Sequence, residues 1–289
     1  MGTSASSSPT ALRWYIALEL GRLRRQAGLT LQQVAQRLGT STSHVGHLEK
    51  GRNLPARAEL EVLLDFYQLG DRIPSFAELL ESARTGKDWW LSFEGVAPPW
   101  FDLFLGLESS AAQIESYDSH VIPGLFQTPA YNEAVIRAED PDLTDSEIAR
   151  RIELRQARQG VLTREPDPPS VWSILDESIL YGAADSPSIM REQLEHLDKM
   201  TRLPNVNVLI LRMSTRPHAG SNGTFKILSL PDLIGAPAVA YTDGMVHGTY
   251  YEDSDAVLRY RNALTRLHNM AVSPEESQKW IRRRAEELK

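Results

Sequence analysis

The chain has 289 residues, 24% charged and 42% hydrophobic, a composition typical of a globular protein long enough for two domains. It has no cysteine, which excludes disulfides, thiolate metal sites and cysteine nucleophiles, and it lacks the long apolar run that a membrane-spanning helix needs. The net charge of -7 is uneven: residues 1–57 carry eight basic and two acidic side chains, whereas residues 58–289 carry 23 and 36. Only the first end is therefore expected to attract phosphate.

The first ten residues, MGTSASSSPT, lack the basic and apolar regions of a signal peptide. They predict a flexible tail (residues 1–10) on a cytoplasmic protein. Residues 11–27 then predict a basic amphipathic helix. Its apolar residues recur on one side: Leu12, Ile16, Leu20 and Leu23.

Residues 30–52, TLQQVAQRLGTSTSHVGHLEKGR, predict a helix-turn-helix. Thr30 is placed as an N-cap, Gly39 as a left-handed C-cap, and Ser41 as the cap of a second helix. The helical spacing of the apolar residues supports this interpretation; they are Leu31, Val34, Ala35 and Leu38, then Val45 and Leu48. Two helices joined by so short a turn must approach closely, which small residues at positions 35 and 39 permit.

The second of these helices carries short polar or absent side chains on its outer face, at Thr42, Ser43, Gly46 and His47. Such a face fits against base edges in a major groove, where hydroxyl and imidazole groups donate or accept hydrogen bonds. The alternative is a solvated face on an ordinary helical hairpin. The basic charge of this end favours DNA.

A carboxylate follows the second helix at Glu49, close to the predicted core, and needs a cationic partner there. The sequence predicts an ion pair with Arg24, with the two side chains within about 6 Å of each other. Lys50 and Arg52 are placed to reach phosphates beside the reading helix, the alternative being solvated loop charges.

Helices over residues 56–69 and 75–84 complete a predicted five-helix domain, residues 11–85. Residues 12–84 resemble the lambda-repressor-like, or XRE-type, DNA-binding domains, through the string LGRLRRQAGLTLQQVAQRLGTSTSHVGHLEKGRNLP. The resemblance implies base contacts by Thr42, Ser43 and His47. It implies phosphate contacts by Thr30, Ser41, Lys50 and Arg52. It also implies a homodimer on a near-palindromic double-stranded operator.

Residues 86–100, which include KDWWLSFEGVAPPW, predict a linker or an aromatic lid, and residues 101–289 predict a second domain. A helix is expected over residues 101–116, another from Thr128 to Ile136, and a third over residues 145–162. The third is rich in arginine, which suggests a second nucleic-acid surface. A solvated or ion-paired face is the favoured alternative because no aromatic residues interleave with the arginines.

Past residue 169 the period of the apolar residues changes to that of strands. Strands are predicted over residues 171–175, 206–211, 225–230, 238–241 and 245–251. Helices are predicted over residues 186–202, 253–270 and 274–288. The predicted fold is therefore an all-α helix-turn-helix domain followed by a larger α+β domain with a small central sheet.

Several spaced strings of the second domain resemble the C-terminal domain of actinobacterial XRE-type regulators that are described as antitoxin-like: LESSAAQIESYDSHVIPGLFQTPAYNEAV, RIELRQARQ, ILDESIL, MREQLEHL, NVNVLIL and SPEES. The resemblance covers about residues 90–285. It implies a small partner protein encoded by a neighbouring gene. Residues 181–185 depart from the more glycine-rich turn of such proteins.

Candidate chemical groups also occur in the second domain, and could form a metal or hydrolytic site: His218, Asp243, His247, Glu252 and Asp253. They have no recognised ligand spacing, and the chain has no nucleophile elbow, phosphate loop or HExxH motif. We therefore expect no catalysis, no metal and no cofactor. Aromatic and amphipathic residues predict instead a pocket for a small-molecule effector or a partner segment, with the core as the alternative: Tyr117, Phe126, Gln127, Tyr131, Trp172 and Tyr241.

The sequence thus predicts a cytoplasmic, dimeric, sequence-specific transcriptional regulator, with a second domain that dimerises and senses a signal or a partner. The alternative is an antitoxin-like protein that mainly binds a small partner and regulates its own gene. An enzyme with a DNA-binding appendage is the third hypothesis. No contact with membranes is expected.

Overall fold

The computed structural model describes residues 8–182, 186–231 and 238–288. The chain folds as two compact units, one formed by Met1–Ser92 with Asp102–Ser110, the other by Phe93–Phe101 with Ala111–Lys289. Residues 1–7 of the predicted tail and residues 183–185 of the predicted divergent turn lie outside the described residues.

Five helices form most of the first unit, which confirms the predicted five-helix domain. They are α1 (Pro9–Gln26), α2 (Leu31–Leu38), α3 (Thr42–Glu49), α4 (Arg57–Phe66) and α5 (Ile73–Thr85). Apolar side chains from these helices are almost completely buried, among them Leu20, Leu60 and Phe76. Burial of such a continuous apolar stripe is what stabilises short helices that would be marginal in isolation.

The start of α1 is tied down by side-chain hydrogen bonds. Ser8 caps the helix by accepting from the amide of Ala11 (3.3 Å), and the hydroxyls of Ser8 and Thr10 both donate to the carboxylate of Asp88. The amide of Ser8 donates to Ser110 Oγ (2.8 Å). Residues 8–10 are therefore part of a capped helix, whereas the sequence predicted a tail as far as residue 10.

A sixth helix, α6 (Phe101–Ser110), has most of its length in the first unit. A Cβ on Gly106 would lie only 3.0 Å from Ser8 Oγ and 3.2 Å from the amide nitrogen of Ala11, so glycine permits α6 to pack closely on α1. The sequence-based boundary, with a linker over residues 86–100 and a second domain from residue 101, differs from this division of the chain.

The predicted helix over residues 101–116 is wrong in its second half. The helix ends at Ser110, and Gln113–Asp118 forms a strand, β1. Leu103, Leu107 and Ile114 follow helical spacing, but residues 113–118 pair with strands on both sides, and this pairing decides their conformation. Tertiary context has overridden the local pattern.

Six strands form one sheet in the described part of the second unit, which confirms an α+β domain. They are β1, β2 (Ser170–Asp176), β3 (Val206–Leu211), β4 (Phe225–Ser229), β5 (Ala238–Thr242) and β6 (Thr249–Tyr251). Their order is β3-β2-β1-β4-β5-β6. The first three strands are parallel. Strand β4 then pairs with β1, β5 with β4 and β6 with β5, each in antiparallel fashion. All three parallel strands therefore end at one edge of the sheet.

Among the described residues, five helices accompany this sheet: α7 (Pro129–Glu139), α8 (Asp145–Arg158), α9 (Pro187–Met200), α10 (Ser254–Met270) and α11 (Pro274–Glu287). Helix α10 packs Leu264 and Leu267 into a core that includes Ile174 and Phe225 from the sheet. None of the described helices is long and apolar enough to cross a membrane.

Candidate nucleic-acid interface

The turn between α2 and α3 is built by local hydrogen bonds. The side chains and amides of Thr30 and Gln33 cap one another at the start of α2, and Gly39 ends this helix at φ +66°. The amide of Thr40 then donates to the carbonyl of Ala35 (2.9 Å), and Ser41 Oγ accepts from the amide of His44 (3.2 Å). The left-handed turn and both N-caps are those the sequence predicted.

The inner sides of α2 and α3 are almost fully buried. Val34, Ala35, Val45 and Leu48 are at most 3% exposed. On the outer side of α3, Thr42 and Ser43 are exposed, and Gly46 and His47 are half-buried. The buried face therefore fixes the orientation of the polar face, and the side chains predicted to read bases point away from the core.

His44 makes a contact at the candidate site that sequence reasoning missed. Its Nε2 lies 2.8 Å from Glu59 Oε1, while Glu59 Oε2 accepts from the amide of Ala56 (2.7 Å) at the start of α4. His44 thus joins α3, the predicted reading helix, to the N-terminus of α4. The only sequence signal was Glu59, three residues past the N-cap position, where a capping-box carboxylate belongs.

Arg24 and Glu49 form a paired contact beneath the reading helix. Arg24 Nε donates to Glu49 Oε1 (2.6 Å) and Nη2 to Oε2 (3.0 Å), while Nη1 donates to the carbonyl of Leu29 (2.7 Å). The two side chains are 13% and 11% exposed. The hydrogen bond to Glu49 raises the pKa of the Arg24 guanidinium. This fork joins α1 to α3 and to the turn before α2.

The two acidic residues of the basic end are both engaged with arginines. Glu19 accepts from Arg22 at 2.6 and 2.7 Å, and Glu49 holds Arg24. Of the eight basic residues in this segment, the other six therefore supply its net charge of +6: Arg13, Arg25, Arg37, Lys50, Arg52 and Arg57. Pairing within the segment thus leaves its net charge to these six, of which Arg57 pairs with Glu61 just outside the segment (3.0 Å).

Lys50 and Arg52, the predicted phosphate contacts, are exposed in the loop that follows α3. The amide of Arg52 donates back to the carbonyl of His47 (3.0 Å). Between them, Gly51 has φ +65°, and a Cβ there would lie 3.5 Å from that of Ala17. The loop therefore folds against both the end of α3 and the side of α1, which holds the two cations beside the reading face.

The arginine-rich helix α8 uses its charges within the second unit. Arg150 pairs with Glu153 (2.7 Å) and Arg151 with Asp140 (3.5 Å). Arg155 pairs with Glu139 (3.3 Å) and donates to Gln127 Oε1 (3.1 Å). Arg158 is buried over the ring of Phe101, 5.2 Å from its centroid. These contacts favour the ion-paired alternative over a second nucleic-acid surface.

The six residues predicted to line a pocket are placed on several separate elements. Tyr117, Phe126, Gln127, Tyr131 and Tyr241 are at most 6% exposed, and half-buried Trp172 packs beside His268. Tyr117 lies in the core cluster beneath α10, whereas the side-chain Nε2 of Gln127 donates to the carbonyl of Ile122 (2.7 Å). Burial raises the pKa of the Tyr241 hydroxyl, and the negative charge of Asp243 raises it further.

Among the candidate chemical groups, His218 belongs to a buried polar network. Tyr117 Oη lies 3.4 Å from both His218 Nε2 and Asp176 Oδ2, and Arg216 pairs with Asp176 (2.8 Å). Burial would raise the pKa of Asp176, but hydrogen bonds from Arg216 and Ser178 lower it overall. Among the described residues, no group of three or more histidines and carboxylates is placed to hold a metal ion.

Comparison with known families matches both parts of the chain. Residues 16–73 match the family described as helix-turn-helix domain, and residues 101–283 match the family described as domain of unknown function (DUF5753). No curated protein and no solved structure matches the chain. The helix-turn-helix match, together with the exposed polar face of α3, indicates a DNA-binding regulator.

Proposed function

We propose that this chain, which belongs to the family described as domain of unknown function (DUF5753), is a sequence-specific transcriptional regulator that binds double-stranded DNA through α3. One observation carries the proposal. The exposed polar face of α3 is held by a buried apolar face and flanked by two exposed cations, Lys50 and Arg52. We assign the first unit to the lambda-repressor-like (XRE) class and the chain to an actinobacterial origin, on the sequence strings quoted above.

In this proposal, base edges are contacted by Thr42, Ser43 and His47. Phosphates are contacted by Thr30, Ser41, Lys50 and Arg52. The first two of these four stand at helix N-termini, where backbone amides and the helix dipole favour an anion. Lys50 and Arg52 supply full charges, whose contribution falls as salt rises.

Base-contacting and phosphate-contacting residues are distinguished by measuring how tightly the purified full chain binds two DNA duplexes. One duplex carries a site selected from random DNA and the other a scrambled sequence, and each is measured at several salt concentrations. Ser43→Ala and His47→Ala should lose about 1–3 kcal/mol on the selected site only, since each removes a base contact. Arg52→Gln should weaken both duplexes alike and reduce the salt slope by about one. The matched control is Arg57→Gln, because the exposed side chain of Arg57 pairs with Glu61 on α4.

Identical losses on both duplexes for Ser43→Ala and Arg52→Gln would contradict this division of roles. Failure of the full chain to enrich any sequence from random DNA would overturn the proposed function itself.

We propose that the second unit makes the protein a dimer and receives a small-molecule or protein signal. A homodimer is expected because helix-turn-helix proteins of this class read two half-sites about 34 Å apart on near-palindromic operators. Sedimentation of the full chain with and without operator tests this. A single monomer on each operator would contradict it.

A second candidate function is an antitoxin-like protein whose main role is to bind a small protein encoded next door. It is supported by the resemblance of the second domain. Co-purification with the neighbouring gene product at equal stoichiometry, with DNA binding confined to the protein's own promoter, distinguishes it.

We further propose that the chain is not an enzyme and needs no cofactor. Turnover that disappears in an Asp176→Asn variant would overturn that statement.

A further inference from the structure

A cavity of 520 Å³ is present in the second unit, between the N-terminal half of α10 and the ends of β4, β5 and β6. Its volume lies within the range of about 300–1,000 Å³ that is usual for small-molecule sites. Its lining contains none of the six residues that the sequence predicted for a pocket. Asp253, which the sequence singled out as a candidate chemical group, does line it.

One side of the cavity is aromatic. The rings of Phe225 and Tyr260 have centroids 5.1 Å apart, and those of Tyr251 and Tyr260 are also 5.1 Å apart, with interplanar angles near 50°. Tyr260 therefore links two neighbouring rings. Burial raises the pKa of Tyr260 to about 12, so its hydroxyl is neutral at physiological pH. Three adjoining rings of this kind accept a flat apolar group by stacked or edge contacts.

A second side of the cavity is a loop whose position is fixed from within. Asn222 and Thr224 line the cavity, and Thr224 Oγ1 accepts from the amide of Ser119 (3.2 Å). A Cβ on Gly220 would lie 2.3 Å from Tyr117 Cε1, so only glycine lets this loop approach the buried ring. The loop is thus held against the sheet, and the cavity has a preformed wall.

The third side carries charges of both signs, at Asp253, Asp255 and Arg259 of α10 and its cap. Asp253 Oδ1 accepts from the amides of Asp255 and Ala256 (both 3.0 Å). Asp255 and Arg259 are four residues apart, a spacing at which ion pairs form readily on a helix. Even so, no ion pair within 4.0 Å joins them, and neither side chain has a hydrogen-bond partner in the part of the chain that the structure describes.

We propose that this cavity binds an aromatic amino acid or a molecule of the same chemistry, with one aromatic ring, one ammonium and one carboxylate. The ring lies against Phe225, Tyr251 and Tyr260. The ammonium binds Asp255, and the carboxylate binds the guanidinium of Arg259, which suits a planar two-oxygen partner. The inference deepens the proposed sensing role of the second unit by naming the chemical class of its signal.

Calorimetric titration of the full chain tests the ligand class, with L-tryptophan and L-phenylalanine as probes. Tryptamine, which lacks the carboxylate, and indole-3-propionate, which lacks the ammonium, are the comparison ligands. Since each charged hydrogen bond contributes appreciably to binding, we expect each comparison ligand to bind at least about tenfold more weakly than L-tryptophan. Equal affinity for all three indole compounds, or no binding of either amino acid at millimolar concentration, overturns the proposal.

Variants test the position of the site. Arg259→Gln and Asp255→Asn should each weaken binding of L-tryptophan about tenfold or more. Their matched controls are Arg266→Gln, on the same helix but outside the cavity, and Asp142→Asn, on an exposed residue before α8. The controls should leave the affinity unchanged. A control that weakens binding as much as its partner variant overturns the assignment.

Operator binding is measured on the same samples. If DNA binding is sequence-specific and no aromatic amino acid binds, the ligand inference fails and the proposed function stands. If L-tryptophan binds through Arg259 and no DNA sequence is enriched, the proposed function fails and the ligand site stands.

Discussion

Removal of the Glu49 carboxylate should loosen α3 from α1. In Glu49→Ala, Arg24 loses two hydrogen bonds, of 2.6 and 3.0 Å, and keeps only the carbonyl of Leu29 at 2.7 Å. Breaking a fully buried ion pair costs about 3–5 kcal/mol. Because these side chains are 13% and 11% exposed and one acceptor remains, we expect the lower end of that range, about 3 kcal/mol.

The assay is native-state hydrogen exchange of the full chain, which reports the local opening free energy without assuming one cooperative unfolding transition. Exchange at the amides of Val45 and Leu48 should accelerate about 100-fold in Glu49→Ala, which is what about 3 kcal/mol implies. Glu61→Ala removes the pair with Arg57, whose side chains are 70% and 43% exposed, and should change the opening free energy by about 1 kcal/mol or less.

A double-mutant cycle that combines Glu49→Ala with Arg24→Ala completes the test. If the pair is the source of the loss, the double variant should cost far less than the sum of the two single variants. Equal and small effects of Glu49→Ala and Glu61→Ala would refute the assignment of α3 positioning to the buried pair.

Three further predictions concern backbone geometry, acid stability and a sheet edge. Gly39→Ala should destabilise the α2–α3 turn by about 1–2 kcal/mol because φ there is +66°. Gly46→Ala should instead stabilise α3 by about 0.5–1 kcal/mol, because there is open space for a Cβ at that position. Thermal unfolding of the two variants measures both effects. Burial would raise the pKa of Asp198, but hydrogen bonds from Arg202 and Arg282 lower it overall. The ionised Asp198 carboxylate therefore stabilises the α9–α11 contact fully above about pH 4, and this stabilisation is lost as the pH falls further. Asp198→Asn should be less stable than wild type at pH 7, and the difference in stability should disappear in acid. Ser277→Ala should cost about 1–3 kcal/mol in urea unfolding, since it leaves the buried amide of Ile210 without its 2.9 Å acceptor.

The sequence predicted the first unit well because its signals are local. Thr30, Gly39 and Ser41 each act on backbone groups within a few residues of themselves, so one stretch of sequence contains both the donor and the acceptor. The Arg24–Glu49 pair spans 25 residues, but both ends were anchored by predicted helices. His44 was missed because its partner, Glu59, lies across a loop from it.

The second unit was harder because its structure is decided by pairing between distant segments. Strand β1 sits between β2 and β4, whose partner residues lie more than 50 positions later in the chain, and its own sequence continues the helical spacing of α6. The arginines of α8 show the same limit: their partners on other elements cannot be identified from the helix alone. The cavity is assembled from three strands, the loop before β4 and helix α10, so no single stretch of the sequence predicts it.

The two edges of the sheet are not equivalent. On the β3 edge, Ile210 has both backbone groups occupied, its amide by Ser277 Oγ (2.9 Å) and its carbonyl by the amide of Val272 (3.0 Å). The opposite edge is the three-residue strand β6. A strand added along β3 would therefore find no free backbone group at Ile210, whereas an added strand at β6 would have only three residues to pair with. Short or occupied edges of this kind limit the growth of a sheet from one chain to the next.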